Sequence, residues 1–150
     1  MRYVVSVGSK DVVSLNEELL NLESYIELEK LRLRTPDCVK YSATGEINHQ
    51  PIAPLILLPF VENAFKHSKE LIDEGLDIRI EVNERELQMT VVNRHNALDR
   101  PKREGVGLEN VKRRLEITYP YNYQLEISDQ SGIFSVCLKL KLNATKVYSH

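Results

Sequence analysis

A cluster of polar residues, Glu62-Asn63-Ala64-Phe65-Lys66-His67, follows a strongly apolar run. On a helix, Asn63 would lie three residues before Lys66 and four before His67, so these side chains would share one face. An amide oxygen can ligate Mg²⁺, while an ammonium and an imidazole can contact phosphate. The cluster therefore indicates a site for a magnesium-bound polyphosphate. The alternative is an ordinary helix end, where Lys66 and His67 complement the helix dipole.

A second candidate site is Gly105-Val106-Gly107-Leu108, at the start of a predicted helix. Glycines let a backbone approach a ligand closely, and the unpaired N–H groups of a helix start attract phosphate. We predict that the preceding polar segment, 93–104, is a mobile loop that covers an anionic ligand. Its basic residues are Arg94, Arg100, Lys102 and Arg103. The alternative for the glycines is a simple change of chain direction before the helix. The alternative for the basic segment is a charged loop exposed to solvent.

Asn93 is a third candidate, because it follows the strand-like run 89–92. Its amide offers a donor and an acceptor, which suit a ligand edge such as that of adenine. A turn-forming asparagine is the alternative.

Several other classes of site are disfavoured. No Gly-x-Ser-x-Gly elbow and no phosphate loop ending in Gly-Lys-Ser/Thr occurs, which argues against a serine hydrolase and a P-loop enzyme. The remaining histidines, His49, His95 and His150, have no partner at metal-ligand spacing, so we expect no metal site made by the protein alone. Cys38 and Cys137 lie in apolar stretches and read as free thiols in a reducing cytoplasm.

The bulk composition predicts one domain. A chain of 150 residues with 42% hydrophobic content can bury one core. The net charge of −2 gives no reason to expect a nucleic-acid or membrane-surface partner. The longest apolar run, 52–61, is far below the ~20 residues that a membrane-spanning helix needs.

The first elements that would position the candidate residues are two helices and a hairpin. Ser14 and Glu17 have capping-box spacing, and an apolar stripe at helical period predicts a helix over 15–34. A hairpin is predicted over 39–48, around Thr44-Gly45-Glu46. The run 55–65 reads as a buried helix that contains Pro59, which should kink or strain it.

In the second half of the chain, the pattern of apolar residues predicts two hairpins separated by a helix. Alternating segments 76–82 and 87–92 form the first hairpin, and segments 124–128 and 133–142 form the second around the turn 129–132. Between them, 108–118 has a helical stripe that ends at Tyr119-Pro120.

Three segments carry a resemblance to a known family. The string 54–67, Pro-Leu-Ile-Leu-Leu-Pro-Phe-Val-Glu-Asn-Ala-Phe-Lys-His, is similar to the N box of GHKL ATP-binding domains in LytS/YehU-type sensor histidine kinases. The segment 105–115, with Tyr119-Pro120 after it, resembles the glycine box and following helix of that group. The segment 15–34 resembles the helix that joins the histidine-bearing region to the ATP domain.

This resemblance implies an α/β fold, a two-layer sandwich of the Bergerat type. Its sheet would be mixed, mostly antiparallel and of about five strands, with helices on one face. Residues 1–35 would then end the dimerisation and histidine-transfer region, and residues 36–150 would form the ATP-binding catalytic domain.

The resemblance also implies roles for individual residues. Asn63 would ligate the Mg²⁺ that bridges the ATP phosphates, Lys66 and His67 would contact phosphate or ribose, and Glu62 could orient water as a catalytic residue. Residues 105–108, that is Gly105, Val106, Gly107 and Leu108, would bound the phosphates from the lid side. Asn93 would accept a hydrogen bond from the adenine amino group, at a position where most relatives carry Asp.

Two departures from the family pattern stand out. The usual Asp-x-Gly-x-Gly is replaced by Asn93-Arg94-His95-Asn96-Ala97, without either glycine. The Pro-His-Phe motif around the phosphorylated histidine is missing, so we expect no autophosphorylation by these residues alone. Two alternatives stay open: a degenerate nucleotide-binding regulatory or scaffold module, and a GHKL ATPase of the gyrase or MutL kind.

The partners that the resemblance implies are ATP with Mg²⁺, the phospho-acceptor histidine region of the same kinase or of its dimer mate, and a response regulator. The resemblance places this domain in the cytoplasm. It makes the parent protein an inner-membrane sensor, with no direct membrane contact by this part.

Overall fold

A computed structural model describes residues 12–33, 35–68, 75–94 and 106–142, and these residues form seven β-strands and three α-helices. In chain order the elements are β1 (Val13–Ser14), α1 (Leu15–Lys30), a 3-10 turn (Pro36–Cys38), β2 (Val39–Gly45), β3 (Pro51–Ile52), α2 (Leu58–Ser68), β4 (Leu76–Val82), β5 (Glu86–Arg94), α3 (Val106–Thr118), β6 (Tyr123–Gln130) and β7 (Ile133–Lys141).

The main sheet has five strands in the order β2-β4-β5-β7-β6. Only the β2–β4 pair is parallel among these, and the other pairs are antiparallel. Every second residue of β4, β5 and β7 is buried, because side chains alternate between the two faces of a strand. Helix α2 packs on β4 and β5 and contacts both α1 and α3. The predicted α/β fold, with a mixed and mostly antiparallel sheet and helices on one face, is confirmed.

Helix α1 begins as predicted but ends earlier. The Glu17 N–H donates to Ser14 Oγ at 3.2 Å, which caps the first turn. The stripe is confirmed, since its apolar residues Leu15, Leu19, Leu22 and Ile26 are buried in the core. The predicted end near residue 34 is wrong, because the helix stops at Lys30. Pro36 disfavours helical backbone at the residue before it, and the chain tightens into i to i−3 hydrogen bonds at Arg32 and Leu33.

The predicted hairpin over 39–48 is wrong. Strand β2 pairs in parallel with β4, from Val39 opposite Leu76 to Gly45 opposite Val82. Gly45 adopts φ +105°, and a Cβ there would lie 1.9 Å from the Val82 carbonyl oxygen, so glycine ends the strand and lets the chain turn away. The following segment pairs with another partner, because β3 is antiparallel to β1 in a small separate sheet.

Helix α2 corrects the expectation about Pro59. The helix spans Leu58–Ser68 rather than 55–65, so Pro59 is its second residue. A proline is tolerated there because an N–H in the first turn has no carbonyl partner within the helix. The predicted kink is therefore absent from the helix start. The unusual backbone lies just upstream, where Leu55 adopts the left-handed region at φ 57°.

The later elements are confirmed, with small shifts at their ends. Strands β4 and β5 form the predicted hairpin, whose turn is held by Asn83 Oδ1 accepting from the Arg85 and Glu86 N–H groups. Strand β6 is longer than predicted, at Tyr123–Gln130, and β7 ends one residue earlier than predicted, at Lys141. The turn between them narrows to Ser131-Gly132, both at positive φ. Helix α3 ends at Thr118, and the Tyr119 side chain after it is fully buried.

Candidate functional site

Helix α2 holds the first candidate cluster at the boundary between core and solvent. Its apolar side chains Phe60, Val61, Ala64 and Phe65 are buried. Glu62 and Lys66 are exposed, and Asn63 is half-buried between these two environments. His67 lies in the same helix, but only its backbone is among the described parts of the chain. The helical face predicted for Asn63 and Lys66 is confirmed.

The amide of Asn63 is incompletely satisfied. Its nitrogen is buried and has no hydrogen-bond partner within the described residues; the same holds for the hydroxyl of Tyr41 on β2. A buried polar atom without a partner is destabilising by about 1–3 kcal/mol, so the unpaired amide nitrogen calls for an explanation, and a bound ligand would be one. Amide oxygen and nitrogen exchange places by a half-turn of the side chain, so either atom can meet a ligand here. The group therefore fits a magnesium-bound phosphate.

Asn93 lies next to the same helix. It is fully buried near the end of β5, where it stands between Leu76 of β4 and Phe134 of β7. Its amide nitrogen donates to the Ala64 carbonyl oxygen of α2 at 3.2 Å. The alternative of a turn-forming asparagine is wrong, since the residue is paired inside a strand. The structure thus joins two of the three predicted sites through one hydrogen bond.

The glycine segment is described in part. Val106 and Gly107 form the first turn of α3, two residues earlier than predicted, and Leu108 is buried in that turn. Helices α2 and α3 pack against each other, so the start of α3 belongs to the same layer as the Asn63 helix. Gly105 and the predicted loop from residue 95 onwards lie outside the described residues.

Glu18 of α1 is a buried charged residue next to the start of α2 that the sequence reasoning missed. Its side chain is only 2% exposed. One carboxylate oxygen accepts from the Leu55 N–H at 3.0 Å and the other from the Leu57 N–H at 3.5 Å, immediately before α2 begins. A signal for it was present in the sequence, because Glu18 interrupts the apolar stripe of Leu15, Leu19 and Leu22 at helical spacing.

Tyr25 forms a second contact between α1 and α2. Its ring meets Phe65 edge-on, with centroids 6.0 Å apart and an interplanar angle of 75°. Burial raises the pKa of Tyr25 to about 12, with smaller contributions from the negative charges of Glu29 and Glu62.

Two further findings concern metals and membranes. In the part of the chain that the structure describes, no three His, Cys, Asp or Glu side chains group together to hold a metal ion. None of the helices seen over 12–33, 35–68, 75–94 and 106–142 is long and apolar enough to cross a bilayer.

Comparison of the structure with solved structures finds histidine kinases of similar fold. The Acinetobacter baumannii histidine kinase AdeS matches with a TM-score of 0.58 at 13% identity, over 88% of this chain and 66% of that one. The catalytic domain of histidine kinase ThkA matches with a TM-score of 0.55 at 12% identity, over 86% of this chain and 94% of that one. The fold is that of histidine kinase catalytic domains.

Sequence comparison points to sensor kinases. No model of a protein family matches the chain. An uncharacterized sensor-like histidine kinase of Staphylococcus epidermidis is 33% identical over 91 residues, which is 61% of this chain and 18% of that protein. The sensor protein kinase HptS of Staphylococcus aureus strain RF122 is 24% identical over 98% of this chain and 31% of its own length. The chain thus spans less than a third of these relatives. The predicted resemblance to sensor histidine kinases is confirmed, and the LytS/YehU type stays a prediction.

Proposed function

We propose that the chain is the ATP-binding catalytic domain of a two-component sensor histidine kinase of the LytS/YehU type. It would donate the γ-phosphate of ATP to a histidine outside these residues. The observation that carries this proposal is the half-buried Asn63 on α2, whose buried amide nitrogen has no hydrogen-bond partner among the described residues. The fold and the sensor-kinase relatives support it.

In this proposal α2 carries the phosphate end of the site. The Asn63 amide oxygen ligates Mg²⁺, and the exposed Lys66 ammonium and the His67 imidazole meet phosphate or ribose oxygens. The metal, when bound, neutralises charge that develops on the phosphates. Phosphoryl transfer depends mainly on such positioning and charge neutralisation, so few residues need to do covalent chemistry. Glu62, on the same helix, would orient water.

Asn93 would carry the adenine end. Its amide nitrogen is occupied by the Ala64 carbonyl, which fixes the plane of the amide. A fixed amide holds its oxygen in one direction. An acceptor of a hydrogen bond from the adenine amino group must be oriented in this way. Gly105, Val106, Gly107 and Leu108 would bound the phosphates at the start of α3, where free N–H groups attract anions.

The larger protein enters the proposal through α1. We propose residues 1–35 as the end of the dimerisation and histidine-transfer region and residues 36–150 as the catalytic domain. The phospho-acceptor region of the same kinase or its dimer mate and a response regulator would be the protein partners. The parent protein would be an inner-membrane sensor whose cytoplasmic part includes this domain.

Calorimetric titration tests the nucleotide proposal. ADP or a non-hydrolysable ATP analogue should bind, and Mg²⁺ should strengthen the binding. Asn63→Ala should remove most of the Mg²⁺ effect because it deletes the proposed metal ligand. Asn16→Ala is the matched control, since Asn16 is exposed on α1. Absence of heat at millimolar nucleotide would refute ATP binding, and an unchanged Mg²⁺ effect in Asn63→Ala would refute the assigned ligand.

A second candidate function is a scaffold module that binds nucleotide without transferring phosphate. The amide of Asn93 in place of the usual carboxylate favours it. Mixing the domain with its upstream histidine region and labelled ATP separates the two functions, since phosphohistidine forms only if the domain is a kinase. Release of inorganic phosphate on dimerisation, without phosphohistidine, would instead favour a GHKL ATPase of the gyrase or MutL kind.

A further inference from the structure

Glu18 is an acidic side chain that the proposed reaction does not use, although it is almost completely buried. It is 2% exposed, in a helix whose other inward-facing residues are apolar. Burying a carboxylate is strongly unfavourable unless hydrogen bonds compensate for the lost water. The groups that donate hydrogen bonds to Glu18 therefore indicate which part of the fold its negative charge stabilises.

Both carboxylate oxygens accept from the backbone at the start of α2. Oε1 accepts from the Leu55 N–H at 3.0 Å and Oε2 from the Leu57 N–H at 3.5 Å. Leu57 is the residue before the first residue of α2, so the negative charge lies at the positive end of the helix dipole. Leu55 has left-handed backbone, a conformation that a leucine adopts only when its surroundings hold it.

A second contact fixes the same two helices further along. Tyr25, two turns after Glu18 on α1, packs edge-on against Phe65, which follows Asn63 by two residues. Helix α1 thus contacts α2 before its first residue, through Glu18, and beyond Asn63, through Tyr25. Asn63 lies between these two contacts, so its position depends on the position of α1 relative to α2.

We propose that Glu18 is a positioning residue for the nucleotide site. It holds the start of α2 against α1 and thereby sets where the Asn63 amide meets the metal-bound phosphate. A displacement of α1 then changes nucleotide affinity through this carboxylate. The proposal rests on the proposed ATP-binding function, and it concerns only how the site is held.

Glu18→Gln tests the role by comparing affinity with and without Mg²⁺. The variant keeps the size of the side chain but removes the charge and one of the two acceptor oxygens. We expect ADP affinity in Mg²⁺ to fall about tenfold, as is usual when a group that orients a metal ligand is changed. Affinity without Mg²⁺ should change less than about twofold, since Asn63, which lies between the two contacts with α1, is the residue of α2 proposed to act through the metal.

The control is Glu23→Gln, an exposed glutamate on the same helix, which should leave both affinities unchanged. An equal loss with and without Mg²⁺ would assign Glu18 a purely structural role and overturn the proposal. Unchanged affinities in a folded Glu18→Gln variant would overturn it as well. If the wild-type chain binds no nucleotide, the proposed function itself fails, and this positioning role fails with it.

Hydrogen exchange in the wild-type chain decides the question if Glu18→Gln does not fold. Coupling between two sites is reciprocal, so bound nucleotide must stabilise the contacts that favour its binding. Saturation with ADP and Mg²⁺ should slow exchange of the Leu55 and Leu57 amides about tenfold. The Arg85 and Glu86 amides, which also donate to a side-chain oxygen but in a distant turn, should not respond. Unaltered exchange at Leu55 and Leu57 would overturn the proposal.

Discussion

Asn93→Asp tests how the buried end of the site is held, because it introduces the residue type that the GHKL resemblance implies at this position. The two side chains have nearly the same shape, so the change alters only hydrogen bonding and charge. In the structure the Asn93 amide nitrogen donates to the Ala64 carbonyl oxygen at 3.2 Å, and the side chain is fully buried. An ionised aspartate would place an oxygen against that carbonyl. We therefore expect the substitution to destabilise the fold rather than improve it.

The size of the effect follows from the pKa of the new carboxyl group. Burial and the facing carbonyl both disfavour the charged form, so the folded-state pKa lies above the unfolded value of about 3.9. A rise of about two pKa units corresponds to about 3 kcal/mol. The protonated acid donates to Ala64, so its stability is present below the unfolded pKa and is lost as the pH rises through the folded pKa.

Urea denaturation at two pH values measures this loss. The difference in unfolding free energy between wild type and Asn93→Asp should be about 2 kcal/mol larger at pH 8 than at pH 4.5. The exposed control Asn48→Asp should show almost no such difference. A difference for Asn93→Asp that does not change with pH would show that the carboxylate is tolerated next to Ala64, and would refute the reasoning.

Two further substitutions test the fold around the site. Tyr119→Phe removes the hydroxyl that accepts from the Ala53 N–H at 3.0 Å and should reduce the unfolding free energy by about 1–3 kcal/mol, measured in urea. The control Tyr121→Phe, with a side chain 99% exposed, should be neutral, and equal effects of the two would contradict the role of the bond. Pro59→Ala should be neutral or lose up to about 1 kcal/mol, because a proline in the first helical turn stabilises by restricting the unfolded chain. Urea denaturation measures this change as well. An increase of about 3 kcal/mol in the unfolding free energy of Pro59→Ala would instead show that the proline strains the helix.

The sequence predicted best those elements whose signals are local. The capped start of α1, the β4–β5 hairpin and α3 each follow from a few neighbouring residues, namely a cap, a period-two alternation or a helical stripe. The polar cluster on α2 was predicted for the same reason, because Asn63 and Lys66 share a helical face at any tertiary position.

The wrong or missing predictions concern contacts between residues that are distant in the sequence. Thr44-Gly45-Glu46 carries a turn signal, but no local feature tells whether the next segment returns to pair with β2. That outcome depends on Val82, which lies opposite Gly45 across a parallel pair. The hydrogen bonds of Glu18 to the start of α2 were missed for a related reason, since Leu55 and Leu57 are distant in sequence and donate through their backbone N–H groups.

The parallel pairing of β2 with β4 has a consequence for the order in which the domain assembles. The chain between these two strands contains β3 and α2, so the pairing closes a long loop that carries Asn63. Closing a long loop loses entropy before any contact compensates for it, which makes such pairing a late and slow step of folding. A ligand on α2, inside that loop, would slow global unfolding, whereas amides that exchange through local opening in a distant turn would not respond.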